Sequence, residues 1–275
     1  MSLESVFDRG LLLIGCGKMG SAMLAGWLDA GLDPSRVDVV DPAPSDWLTG
    51  LQGRGLRLNA DLPPAPAVCM IAVKPQTMSQ ALPALAGLGT QDTLFLSIAA
   101  GTPISAFERA LGAEAAIVRA MPNTPAAINK GITAIIGNGN VTEAQLALSE
   151  ALLAAIGDTV RLQTEAQMDA VTGLSGSGPA YVFHLIECLA AAGVAEGLPP
   201  EMAMTLARAT VAGAGALAVE AGEPPGVLRQ NVTSPNGTTQ AGLEVLMDPQ
   251  AGLPPLIVRT VGAAAERSRE LAAQS

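Results

Sequence analysis

Short apolar runs recur through the first half of the chain, at 11–14, 37–40, 67–73, 93–98, 116–119 and 131–136, each bounded by Gly, Pro or Asp. Between several of them lie stretches of helical spacing, such as 19–30 and 77–85. Strand-like runs alternating with helical ones predict βαβ units and a parallel, doubly wound sheet. The last strand is expected near 159–162.

After Thr164 the texture changes to long Ala-rich segments at about 167–174, 179–196, 200–220, 237–247 and 253–271, punctuated by Gly and Pro and without a strand pattern. The chain therefore reads as an α/β domain over 1–163 followed by an all-α domain over 164–275. Small residues crowd the helices, among them Ala207, Ala209, Ala212, Gly213, Ala214, Gly215 and Ala216, and let backbones approach closely. Such apolar helices pack either within one chain or into a second copy, and the sequence leaves both open.

Composition narrows the partners. Of the 275 residues 49% are hydrophobic but only 3% aromatic, so the core is built from Ala, Val, Leu and Ile. The net charge of −10 comes without any run of Lys or Arg, which argues against nucleic acid and against an anionic membrane. Cys16, Cys69 and Cys188, odd in number and in apolar or glycine-rich settings, read as reduced thiols of a cytoplasmic protein, and no metal site is supported. Residues 1–9 carry acids and lack the basic head and apolar stretch of a signal peptide. The most apolar later segment, 178–195, includes His184 and Glu187, which speaks against a membrane span.

The first strand runs directly into Gly15-Cys16-Gly17-Lys18-Met19-Gly20, which opens a helix containing Ala22, Leu24, Trp27 and Leu28. In that context the glycines provide a tight turn, room for a pyrophosphate beside the backbone, and close helix-to-strand packing, so the turn predicts a dinucleotide site. Asp41 closes the second strand 21 residues beyond Gly20, where a residue meeting the adenosine ribose is expected. A carboxylate there accepts from the ribose hydroxyls of NADH and repels the 2′-phosphate of NADPH, which leans toward NADH. The competing reading is that Asp41 only caps the Asp41-Pro42 turn, or that Arg54 or Arg57 reaches a phosphate.

Further motifs sit at strand ends or helix starts: Ala72-Val73-Lys74-Pro75, Ala99-Ala100-Gly101, Arg119-Ala120-Met121-Pro122-Asn123-Thr124-Pro125, Gly173-Leu174-Ser175-Gly176-Ser177-Gly178-Pro179-Ala180-Tyr181, and Ser234-Pro235-Asn236-Gly237-Thr238-Thr239. In this order, through nearly the whole chain, they closely resemble the Δ1-pyrroline-5-carboxylate reductases, which catalyse the last step of proline synthesis. The resemblance implies a Rossmann-like domain and a helical domain that interleaves with its counterpart in a homodimer, often assembled further into decamers. It also implies reduction of a cyclic imine to L-proline by NAD(P)H. Ala72, Val73, Lys74, Pro75 and Asn123 would then line the cofactor site, Asn123 near the nicotinamide. Ser234 and the amides of Asn236, Gly237 and Thr238 would hold the substrate carboxylate, and Thr239 would point its hydroxyl at the imine nitrogen as the catalytic contact.

Read without the resemblance, Lys74 is equally a solvated surface lysine, and Ser234 or Thr238 a plain helix cap. The segment 173–178 is a hinge, a point of close approach between subunits, or an ordinary loop. Two departures stand out. Asn236-Gly237 replaces the usual Gly-Gly, and Asn is the non-glycine residue that best tolerates positive φ. Asp41 replaces the small or hydroxyl residue compatible with NADPH.

The substrate chemistry asks for an anion holder, a group near nitrogen and an open edge, and for little acid–base machinery, because an iminium is already activated. Among rivals, β-hydroxyacid dehydrogenases use a lysine from the second domain, and here Lys18, Lys74 and Lys130 are the only lysines. A 2-hydroxyacid dehydrogenase needs a His paired with a carboxylate, and the single His184 reads as a hydrogen-bonded structural residue. Another small-molecule imine reductase, or a dinucleotide sensor without catalysis, completes the alternatives.

Overall fold

The computed structural model describes residue 6 and residues 8–89 and 93–273, so most of the segment 1–9 lies outside the described residues. Among them eight strands join one sheet in the order β3-β2-β1-β4-β5-β6-β7-β8. They are β1 (Leu11–Ile14), β2 (Val37–Val40), β3 (Arg57–Leu58), β4 (Val68–Ile71), β5 (Leu94–Ser97), β6 (Ala116–Met121), β7 (Gly131–Gly137) and β8 (Gly157–Arg161).

Strands β1 to β6 are parallel. The expected parallel, doubly wound sheet is present, with one antiparallel pair that the strand pattern does not reveal: β7 runs antiparallel to β6, with Val118 opposite Gly137. The connection between them holds only the 3-10 turn Thr124–Ile128, and a parallel pair needs a crossover of a dozen or more residues. Strand β8 then pairs parallel with β7.

Helices α1 (Lys18–Asp29), α2 (Asp46–Gly50), α3 (Pro75–Leu85), α4 (Ile104–Leu111) and α5 (Glu143–Leu153) cover the sheet. Side chains alternate across it. Leu11, Leu13, Val68, Met70, Leu94 and Leu96 pack in one buried cluster with Met23, Leu24 and Trp27 of α1 and Leu148 and Leu152 of α5. Their neighbours Leu12, Ile14, Cys69, Ile71 and Phe95 pack in another with Leu82 and Leu85 of α3 and Phe107 and Leu111 of α4. Burial on both faces is why these strands read as unbroken apolar runs rather than alternating ones. The Trp27 indole donates to the Leu152 carbonyl at 2.7 Å, which ties α1 to α5.

The chain leaves β1 for β2 on one side and returns as β4 on the other. That reversal opens a crevice at the carboxyl ends of β1 and β4, the place where open α/β sheets bind ligands.

By compactness the chain forms two units, residues 1–176 with 265–275, and residues 177–264. The first therefore includes α6 (Gln167–Val171) and the π-helical turn Thr172–Gly176 beyond the end of the sheet. The second contains α7 (Gly178–Ala195), α8 (Pro200–Glu220), α9 (Pro225–Asn231) and α10 (Thr238–Leu246), and α11 (Leu253–Ala273) begins in it. Helices α7 and α8 touch closely where Gly193 meets Ala203, a Cβ on the glycine falling 3.2 Å from that of the alanine.

Much of the second unit's apolar surface is exposed, including Phe183, Leu206, Leu217, Val245 and Val258. Two helical stretches, Gln167–Ala195 and Pro200–Glu220, are long and apolar enough to cross a membrane. The same length and composition suit helices buried by another protein chain.

Candidate functional site

Three glycines shape the turn after β1, each differently. Gly15 adopts φ +87° and donates its N–H to the Val40 carbonyl at 2.8 Å. A Cβ there would lie 2.9 Å from Val73 Cγ1 and 3.0 Å from the Ala72 oxygen, so the turn presses on the loop after β4 at the crevice. A Cβ on Gly20 would come within 2.5 Å of the Gly15 oxygen, which is how closely α1 docks on the strand end. Around Gly17 nothing lies within 4 Å of such a position, leaving the approach to the helix open.

Gly17 is the N-cap of α1, no side chain caps it, and the first turn, beginning Lys18-Met19, carries no acid. The amides of an uncapped first turn and the positive end of the helix dipole suit an anion. An open glycine face beside an uncapped helix start, at the sheet's switch point, fits a dinucleotide pyrophosphate. Cys16, between the glycines, is buried, and burial followed by the nearby Asp41 carboxylate pushes its thiol up to about 12. It is a packing residue at neutral pH, not a nucleophile.

Asp41 is buried at 8% exposure. Its Oδ2 accepts from the Cys16 N–H at 2.6 Å and its Oδ1 from the Ala43 N–H at 2.8 Å. It thus caps its own turn and also grips the glycine turn. Asn59, in left-handed backbone at φ +52°, engages both backbone groups of Asp41, accepting its N–H at 2.9 Å and donating to its carbonyl at 2.8 Å. Arg57 is committed elsewhere: its Nε and Nη2 hold the two Asp38 oxygens, both at 2.5 Å, and Nη1 donates to the Ser35 carbonyl. Arg54 ends the 3-10 stretch Leu51–Arg54.

Across the crevice, the Ala72 N–H donates to the Ile14 carbonyl at 2.8 Å, and Ala72 and Val73 are half-buried. Lys74 is exposed as the N-cap residue of α3, with Pro75 at the first helical position. The Lys74 carbonyl accepts from both the N–H and the hydroxyl of Thr77. Asn123 follows β6, and its side chain is already employed: Oδ1 accepts from the Ile132 N–H at 3.0 Å and Nδ2 donates to the Ser175 carbonyl at 3.2 Å.

Three polar residues that hold these loops went unassigned in the sequence. Buried Arg119, within β6, pairs with Glu165 at 2.7 Å, and the same Glu165 oxygen accepts the Ile104 N–H that opens α4. Asn59 is the third. An Asn beside a two-residue strand and a Glu 46 residues from its arginine leave no spacing signal.

In the second unit, the loop 234–239 forms the start of α10. Asn236 takes the left-handed conformation at φ +56°, as the replacement of Gly requires. Gly237 is the N-cap and no side chain caps it, so neither Ser234 nor Thr238 serves as a cap. Instead Gln240 accepts the Asn236 N–H at 2.8 Å, and the Gly237 N–H reaches the Ser234 carbonyl at 3.0 Å. Ser234, Thr238 and Thr239 are exposed within the chain, and Thr238 and Thr239 are the first two helical residues. The three hydroxyls are therefore unspent, while the N–H groups of Asn236 and Gly237 are engaged within the loop.

Pro179 stands at the second rather than the first position of α7. At Gly176 a Cβ would press only on the flexible end of Met121, its Cε at 2.8 Å. His184 lies 2.9 Å from Glu187 Oε2 through Nδ1 and 3.6 Å from the Cys188 sulfur through Nε2. Among the described residues no cluster of His, Cys, Asp and Glu is large enough to hold a metal ion.

Residues 165–271 match the family model for pyrroline-5-carboxylate reductase dimerisation. A pyrroline-5-carboxylate reductase of Methanosarcina acetivorans is 41% identical over 266 residues, covering 94% of this chain and 96% of that one. The solved structure of a pyrroline-5-carboxylate reductase from Coxiella burnetii matches with a TM-score of 0.88 at 32% identity, over 96% of this chain and 98% of its own. A Plasmodium falciparum pyrroline carboxylate reductase, solved with NADP bound, matches with a TM-score of 0.79 at 28% identity over the same shares.

Proposed function

The chain belongs to the pyrroline-5-carboxylate reductase family, and from that premise we propose that it reduces 1-pyrroline-5-carboxylate to L-proline with NAD(P)H, the last step of proline biosynthesis. The observation that carries the reading is the uncapped start of α1 behind Gly15, Gly17 and Gly20 at the sheet's switch point, in a chain alike to one of these reductases over 94% of its length.

The residues divide the work. Gly17, Lys18 and Met19 present the uncapped backbone of the helix start to the pyrophosphate, and Gly15, Cys16 and Gly20 shape the turn around it, the N–H groups of Gly15 and Cys16 being held by Val40 and Asp41, while Asp41 meets the adenosine ribose. Ala72, Val73, Lys74, Pro75 and Asn123 border the same crevice; Asn123 offers its backbone, because its side chain bridges Ile132 and Ser175. Bound in this crevice, the dinucleotide would supply the hydride for a new C–H bond, the C=N π pair passing to nitrogen. A proton on nitrogen completes the balance of imine, hydride and proton to secondary amine.

Ser234 and the amide of Thr238 meet the substrate carboxylate at the positive end of α10, joined by the amides of Asn236 and Gly237, which exchange their present acceptors, Gln240 and the Ser234 carbonyl, for the carboxylate as it binds. The hydroxyl of Thr239 stays beside the ring nitrogen, orienting it and keeping the protonated imine in place. No strong acid or base is required, since positioning and local electrostatics suffice for an activated iminium.

The matched dimerisation region and the exposed apolar helices support self-association. The finer reading is a homodimer, with a decamer as a further assembly. On this reading the two stretches long enough to cross a bilayer are covered by a second copy, and the enzyme works in the cytoplasm with neither membrane nor nucleic acid as partner. The test is turnover: purified protein given 1-pyrroline-5-carboxylate is expected to oxidise NADH or NADPH, and oxidation of neither overturns the proposal.

A further inference from the structure

We propose that this chain selects NADH over NADPH, through a carboxylate at Asp41 that the fold sets in place before any nucleotide arrives. The inference rests on the reading of the β1–α1 turn as a dinucleotide site, and it does not depend on which imine is reduced.

Position comes first. Asp41 follows β2 directly, beside the crevice where β1 and β4 diverge, and its Oδ2 accepts the N–H of Cys16 within the glycine turn itself. The group that discriminates and the group that cradles the phosphates are thus one hydrogen-bonded unit. Asn59 holds the Asp41 backbone through two bonds, and Ala43 N–H holds the second carboxylate oxygen. With its backbone and both carboxylate oxygens engaged and only 8% exposure, the side chain has no ready route to swing aside for a bulkier ligand.

Chemistry then decides the preference. An ionised carboxylate accepts hydrogen bonds and cannot donate, and its two oxygens offer about four acceptor sites. Two are used in the structure, which leaves capacity for the hydroxyls of an unmodified ribose. A 2′-phosphate brings acceptor oxygens and negative charge, so it faces Asp41 without a donor to share and with like-charge repulsion.

A counter-cation would reverse the argument, and the arginine on the adjoining strand cannot supply one. Both Asp38 oxygens and the Ser35 carbonyl already engage the Arg57 guanidinium. Freeing it would strand Asp38, whose side chain is only 6% exposed. Lys18 and Arg54 form no ion pair with Asp41 in the structure, and their reach toward a phosphate is part of the test.

The experiment is equilibrium binding of NADH and NADPH to the full-length protein by titration calorimetry, without imine substrate. NADH is expected to bind at least about tenfold more tightly, the scale of one charge-assisted hydrogen bond gained or lost. Asp41→Ser should narrow or invert the ratio, mainly by tighter NADPH binding. Asp41→Asn, which keeps size and removes charge, covers the case in which the serine variant fails to fold. Equal or tighter binding of NADPH by the unaltered protein overturns the inference, as does an unchanged ratio in a folded Asp41 variant. NADPH binding that collapses in Lys18→Ala or Arg54→Ala would name the cation responsible for such a failure. Selective nucleotide binding in a protein that leaves pyrroline-5-carboxylate untouched would sink the proposed activity and leave this inference standing.

Discussion

At the residue scale, two kinds of position behave differently under sequence reading. Gly15, Gly17 and Gly20 were legible because each answers a local steric demand: a positive φ, an open approach, and a helix docked on a carbonyl. Asn236 was legible for the same reason, as the one side chain that readily replaces glycine at φ +56°. Asp41 was legible by place but not by wiring, since its partners Cys16 and Asn59 come from other elements. Asn123 illustrates the limit: its place after β6 was legible, but not that its side chain bridges β7 and the π turn. The sharpest residue-level prediction concerns Thr239, exposed at the uncapped start of α10. Thr239→Ala should lower kcat by about tenfold to a hundredfold, on the scale of one well-placed hydrogen bond, with dinucleotide affinity unchanged. Equal losses in kcat and in dinucleotide binding would mean that the hydroxyl is structural.

At the element scale, the apolar period identified the main strands, and loop length decided what it could not. Nothing in the composition of 131–136 distinguishes a parallel from an antiparallel strand; the short link from β6 does. Strand β3 is two residues long and α9 seven, below the length at which periodicity carries a signal. Helix α5 shows a local rule acting clearly: Thr142 accepts the Gln145 N–H while the Gln145 side chain accepts the Thr142 N–H, a reciprocal capping box. Because α5 carries the Leu152 carbonyl that holds Trp27 of α1, the cap also steadies α1, the helix whose uncapped start we propose for the dinucleotide. Thr142→Ala should cost about 1 kcal/mol, read as a lower denaturant midpoint for the sheet unit. An unchanged midpoint would mean that packing alone holds α5.

At the scale of the whole molecule, the sequence separated a sheet-bearing part from a helical one, but helical propensity does not report which unit a segment packs with. The segment 164–176 joins the sheet unit through contacts such as Arg119–Glu165, and the end of α11 joins it through Ser268, whose hydroxyl donates to Asp169 at 2.6 Å. Small residues along α8 pointed to packing within the chain or into a second copy, and Phe183, at 61% exposure within one chain, shows how much apolar surface remains to be covered. Sedimentation of the native protein should therefore give at least twice the 27.7 kDa chain mass, and Phe183→Asp should shift it toward the monomer; a native monomer would contradict this account of the helices. All of these scales meet in the reaction itself. The most direct measurement mixes the protein with 1-pyrroline-5-carboxylate and its preferred nucleotide and quantifies L-proline against oxidised nucleotide. Equal amounts of the two products are expected, whereas nucleotide oxidation without proline, or no oxidation at all, would contradict the assignment.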